Sequence, residues 1–211
     1  MKQFTNITTL IFDFGGVLIN LDLARCIQNF RDLGVKNFEN HLSNVGQKGF
    51  FLQFEKGEIS VEQFRKEIRS LAQIPLTDTQ IDKAWCSFLC DIPIEKLEIL
   101  SKLKEKFRLL LLSNTNRMHI ETIGMEEFSK SGKTIFDFFD KCYFSYEMGM
   151  AKPDAEIFEA VLADAGVAAN ECLFLDDGHK NIETANKLGI QTYLVEMNED
   201  LSFLLEPETW K

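Results

Sequence analysis

Short apolar runs set far apart, each closed by a small or acidic polar residue, constrain this chain more than any other feature. Thr9-Leu10-Ile11-Phe12 runs into Asp13, Leu109 to Leu112 into Ser113-Asn114, and Cys172 to Leu175 into Asp176-Asp177. Runs of this length bounded by polar residues read as buried strands. The stretches between them carry helical spacing. Ile157, Val161, Leu162 and Ala165 share one face of a segment that opens at Pro153-Asp154 and stops at Gly166. Ile182, Ala185 and Leu188 share a face of another, which stops at Gly189. Strands are expected near 8–13, 108–113, 142–145, 172–176 and 191–195, and helices near 94–106, 154–165 and 179–188. Such alternation builds an α/β fold, a parallel sheet covered on both faces. Ligands of these sheets sit beyond the carboxyl ends of the strands, where Asp13, Ser113 and Asp176-Asp177 all fall.

The stretch from Asn20 to Asp91 interrupts the alternation. It is helical in pattern and has its own apolar supply in Phe30, Phe38, Phe50, Phe51, Phe54, Phe64 and Phe88. It delays the second strand well beyond what a crossover needs. The expected organisation is a helical cap, 20–91, inserted after the first strand into a core made of 1–19 and 92–211. From Glu196 onward an acidic extension with Pro207 is expected to dock through Phe203, Leu204 and Trp210.

The chain of 211 residues suits one core with a modest insertion. Its net charge of −10 disfavours nucleic acid as a partner, because phosphates must be met by clustered Lys and Arg. The five cysteines are odd in number and unpatterned, which fits a reduced compartment. Asp13 breaks the apolar N-terminal stretch, arguing against a signal peptide and a spanning helix. The expected location is the cytoplasm, with no membrane partner; monomer and homodimer both stay open.

The run-ending residues suit phosphoryl chemistry. A carboxylate such as Asp13 can attack a phosphoryl group, and Gly15-Gly16 would let backbone amides approach the phosphate. A strand-end aspartate capping a turn would look the same. Ser113 and Asn114 offer a hydroxyl and an amide to phosphate oxygens, although Ser-Asn-Thr-Asn is also ordinary turn composition. Lys152 precedes Pro153, where the chain is extended before a helix, and could reach back over the strand ends. Asp176-Asp177 suits magnesium, which takes oxygen ligands. Two like charges about 4 Å apart repel by about 4 kcal/mol at an effective dielectric near 20, so gathering Asp13 with Asp177 calls for a cation. Asp176 could instead cap the following helix, with His179 and Asn181 beside it. His41 and His119 have no evident partner and read as solvated.

Taken in order, these stretches resemble the haloacid dehalogenase superfamily of phosphohydrolases over roughly Thr8 to Val195. That family opens with Asp-x-Asp-x-Thr/Val-Leu/Val, continues with Ser or Thr and then Lys, and closes with an acidic pair. Here the first motif is Asp13-Phe14-Gly15-Gly16-Val17-Leu18. Leu112 to Arg117, Gly149 to Pro153, Phe174 to Asp177 and Glu55-Lys56-Gly57-Glu58-Ile59-Ser60 look most similar to the branch with glucose-1-phosphatase-type sugar-phosphate phosphatases. The phosphatase domain of soluble epoxide hydrolases is a near relative of that branch.

The resemblance implies a Rossmann-like core under a helical cap. It also implies Mg²⁺ held by Asp13, the Gly15 backbone carbonyl and Asp177; Asp176 and Asn181, at the start of the following helix, are candidates to support that site from behind. The activity implied is a phosphomonoesterase for a small phosphorylated metabolite, such as a sugar phosphate, working through an aspartyl-phosphate. Gly15 departs from the pattern, since the family's second aspartate protonates the leaving group and later activates water. Such help is worth about 10² to 10⁴ in rate. Two expectations follow from it. One is a phosphatase in which a cap residue, Asp22 or a water moves the proton; the other is a phosphate- and metal-binding regulatory protein.

Overall fold

The computed structural model describes residues 3–36, 38–40 and 49–211, so His41 lies outside the described residues. Five parallel strands form one sheet: β1 (Thr9–Phe12), β2 (Arg108–Ser113), β3 (Lys141–Phe144), β4 (Cys172–Asp176) and β5 (Gln191–Leu194). Their order is β3-β2-β1-β4-β5. Continuous apolar runs make β1 and β4 because both sheet faces are covered, and every residue of these two strands is buried. Alternation along the strands divides them between two layers. Leu10, Phe12, Leu111 and Leu175 pack with Leu100, Phe128 and Phe138. Ile11, Leu110, Leu112 and Phe174 pack with Ile157, Phe158 and Val161. The chain runs outward from β1 through β2 to β3, then crosses back to β4 on the other side of β1. Strand order therefore reverses between β1 and β4, where such sheets open their ligand crevice.

Among the described residues four α-helices follow β1 before the second strand's own crossover helix: α1 (Leu23–Asp32), α2 (Phe50–Glu55), α3 (Val61–Leu71) and α4 (Asp78–Cys86). Capping boxes start α3, through Ser60 and Gln63, and α4, through Thr77 and Gln80. Their apolar faces meet in a separate cluster of Phe30, Phe38, Phe51, Phe54, Phe64 and Trp85. Two connections join this unit to the sheet, and they pair with each other. Asn20 N donates to Asp91 O at 2.9 Å, Cys90 N to Asn20 O at 2.9 Å and Asp22 N to Phe88 O at 2.8 Å. Arg25 ties the ribbon from α1 by donating to Ser87 O and Leu89 O.

The remaining helices are α5 (Ile94–Leu103), α6 (Arg117–His119), α7 (Met125–Ser129), α8 (Ile135–Phe138), α9 (Ser145–Met148), α10 (Ala155–Ala165) and α11 (His179–Lys187). All five expected strands are present to within a residue at each end, and α5, α10 and α11 fall where helices are expected. A π-helical segment, Ile120–Gly124, joins α6 to α7. Its i→i+5 hydrogen bonds widen the turn beyond the 3.6 period, so this helical stretch carries no clear periodic signature. The C-terminal extension docks as expected: Leu204 is buried, Phe203 packs on Tyr193, and Trp210 packs on Phe107 with ring centroids 4.6 Å apart. No described helix is long and apolar enough to cross a membrane.

Candidate active site

The carboxyl ends of β1, β2 and β4 converge on one lysine. The Lys152 ammonium lies 2.8 Å from Asp13 Oδ1 and 2.6 Å from Asp176 Oδ2, and it donates to Leu112 O at 3.0 Å. Its side chain is 1% exposed, so this is a buried charge with every donor direction used. Burial pulls the ammonium down, but the charges of Asp13 and Asp176 outweigh that and hold its pKa above the ordinary value. Asn114 sets where the lysine sits. Its Nδ2 donates to Lys152 O at 2.7 Å, and its Oδ1 accepts from Lys152 N at 2.8 Å. The Asn114 carboxamide is thus a brace between the β2 and α10 ends of the site, a role the turn composition did not suggest.

Asp13 is held from one side. Oδ1 accepts from Lys152 and, at 2.7 Å, from the Phe14 N–H, while Oδ2 has no hydrogen-bond partner among the described residues. Burial raises its pKa to about 7, against the pull of Lys152 and with the push of Asp176 and Asp177. Asp176 is fully engaged: Oδ2 meets Lys152, and Oδ1 accepts from Gly178 N at 2.7 Å and Asn181 Nδ2 at 2.8 Å. It supports the lysine and, through Gly178 and Asn181, the turn that leads into α11, but the N-cap of that helix is Gly178 without a side-chain cap, so the helix-cap reading of Asp176 does not hold. Asp177 sits exposed at the rim. The Ser113 hydroxyl, buried at the end of β2, has no hydrogen bond among the described residues.

Oxygen atoms of Asp13, Asp176 and Asp177 lie within 4.8 Å of one another. Partial withdrawal of its carboxyl from water and the charge of Asp176 raise the pKa of Asp177, so the cluster is short of positive charge. An all-oxygen donor set of this kind suits a hard divalent cation. Gly16 makes room for the Asp177 carboxylate. With φ +76°, a Cβ there would lie 2.3 Å from Asp177 Oδ2. Gly15 is different, since a Cβ would meet Leu21 Cδ1 at 3.4 Å, an apolar neighbour.

A haloacid dehalogenase-like hydrolase family model matches residues 7–189. The chain belongs to this hydrolase family. It is 36% identical to D-ribitol-5-phosphate phosphatase of Bacteroides thetaiotaomicron, over 92% of this chain and 94% of that protein. In three dimensions the hydrolase resembles a HAD family enzyme of the same organism solved with magnesium and inorganic phosphate. The TM-score is 0.90 at 46% identity, covering 95% of this chain and 100% of that one. A predicted HAD-like family hydrolase from Porphyromonas gingivalis gives a TM-score of 0.87 at 38% identity, covering 95% and 98%.

Two groups in this hydrolase correct the sequence reading. Asp22, expected as a spare acid, caps α1 instead, its Oδ1 accepting from Arg25 N at 2.8 Å. His119 is buried rather than solvated. It stacks on Trp85 at 4.7 Å, and its ring nitrogens meet Asn116 Nδ2 and Trp85 O. Burial lowers its pKa to about 4. The folded state resists protonation here, so this contribution to stability is present above pH 6.5 and is lost as pH falls toward 4. Between pH 7 and pH 4 the wild type should lose about 3 kcal/mol more than His119→Phe, by urea unfolding at both pH values.

Proposed function

We propose that the protein is a Mg²⁺-dependent phosphomonoesterase acting on a small phosphorylated metabolite of the sugar- or polyol-phosphate class through an aspartyl-phosphate on Asp13. The observation that carries this reading is the Lys152 ammonium clamped between Asp13 and Asp176, beside an exposed third carboxylate and a free serine hydroxyl. The phosphate- and magnesium-bearing relative supports the ligand class. Asp13, the Gly15 carbonyl and Asp177 would hold the metal, which supplies positive charge to the phosphoryl oxygens.

The protein's own residues do the rest. Lys152 and the Phe14 N–H fix one oxygen of Asp13, which leaves Oδ2 for in-line attack on phosphorus. Ser113 donates its hydroxyl to a phosphoryl oxygen, and the main chain of Asn114 lines the same edge. Lys152 balances the charge that gathers on the transferring group, in a site largely closed to water. Water then displaces Asp13 from phosphorus. The helical unit 20–91 acts as a cap over these strand ends and sets substrate choice.

Release of phosphate from p-nitrophenyl phosphate with Mg²⁺, lost in Asp13→Asn, is the expected result. Turnover surviving that isosteric change would remove Asp13 as nucleophile. Calorimetric binding of Mg²⁺ and phosphate without turnover would favour a regulatory protein instead.

A further inference from the structure

The proton chemistry lost at Gly15 has another candidate. Glu55 ends α2, is 9% exposed, and has no hydrogen bond to its carboxyl group among the described residues. Its main chain is fixed to the strand ends. The Ser145 hydroxyl, which follows β3, reaches Glu55 O at 2.6 Å and Thr115 O at 3.0 Å, and it accepts from Thr115 N at 2.9 Å. Thr115 lies two residues beyond Ser113, so one hydroxyl joins Glu55 to the loop that carries the phosphate-facing serine. Gly57 tightens the same seam. With φ +67°, a Cβ there would stand 2.1 Å from Tyr146 O, so only glycine lets α2 come this close to α9.

We infer that Glu55, delivered from the helical unit, is the general acid and base that replaces a carboxylate at position 15. The inference rests on the phosphatase reading above. Other described carboxyls near Asp13 are committed. Asp176 has both oxygens bonded, Asp177 faces the cation position, and Asp22 caps a helix. The charged groups that act on Glu55 are Asp13 and Lys152. Burial first, and then the charge of Asp13, raise its pKa to about 8, with Lys152 pulling the other way. That direction favours the protonated carboxyl, the form a leaving-group acid needs.

The steps balance. Asp13 Oδ2 bonds to phosphorus as the ester P–O bond breaks, and the departing oxygen takes the Glu55 proton. The Glu55 carboxylate then removes a proton from water as that water bonds to phosphorus. The Asp13–phosphorus bond breaks, inorganic phosphate leaves, and Glu55 is protonated again.

Leaving-group dependence tests this. p-Nitrophenolate departs well without a proton, whereas phenolate departs poorly. Glu55→Gln should slow single-turnover phosphorylation by phenyl phosphate about 10²- to 10⁴-fold more than by p-nitrophenyl phosphate. Equal slowing of both esters, whether slight or complete, would assign Glu55 a packing role and overturn the inference. If the wild type releases neither phenol, the phosphatase reading falls first and this role falls with it. Loss in Asp13→Asn with an unchanged ester ratio in Glu55→Gln would remove Glu55 alone.

Discussion

Lys152→Met should cost about 3–5 kcal/mol in stability, because it strands buried carboxylates that the ammonium now neutralises. Asp13 is 8% exposed and Asp176 is fully buried, so water cannot replace the lost partner. The deficit has a sign in pH. Without Lys152 the pKa of Asp13 rises further above its unfolded value. The folded state then holds a proton more tightly than the unfolded state does, and stability is lost as pH increases. The variant should therefore fall further behind the wild type at pH 8 than at pH 5, by urea unfolding in metal-free buffer. In activity, removing one preorganised charge at the transferring group should lower kcat by about 10² to 10³. A variant as stable as the wild type at pH 8 would contradict the view that this ammonium holds the site together.

Gly16→Ala is expected to have the second large effect, through crowding rather than charge. The new methyl would lie 2.3 Å from Asp177 Oδ2, and the residue would have to keep a left-handed conformation, φ +76°. The backbone strain costs about 1–2 kcal/mol, and the Asp177 carboxylate must shift from its present place. A displacement of about 1 Å at such a site costs on the order of 10² in rate. Magnesium titration by calorimetry should weaken in parallel, which separates this outcome from simple loss of fold. Gly15→Ala has only Leu21 to meet and should retain magnesium binding.

The sheet was legible because its strands are unbroken apolar runs ending in polar residues, and both features are local. Asp13 and Asp176 were legible for the same reason, since each stands at the end of a run, and Lys152 was legible from the Pro153 corner before a helix. The sequence could not reveal what depends on distant partners. Asn114 bonds the backbone of Lys152, 38 positions away. Glu55 approaches the strand ends only because Ser145, 90 positions later, holds its carbonyl. His119 looked solvated because its burial depends on Trp85, from the helical unit. Within that unit, Glu55-Lys56-Gly57 was visible as a motif, but its chemistry was not, since helical spacing does not show which end of a short helix meets the sheet. The π turn at Ile120–Gly124 hid the helical stretch around it.

The paired connections at Asn20–Asp22 and Phe88–Asp91 restrict how the upper unit can move. Two strands bonded side by side resist sliding past each other, so little remains but bending of the ribbon as a whole. Any such swing carries α2 with it and parts the Glu55 carbonyl from Ser145. Admission of an ester and withdrawal of the proton source would then be one motion, and an open enzyme could not complete a turnover.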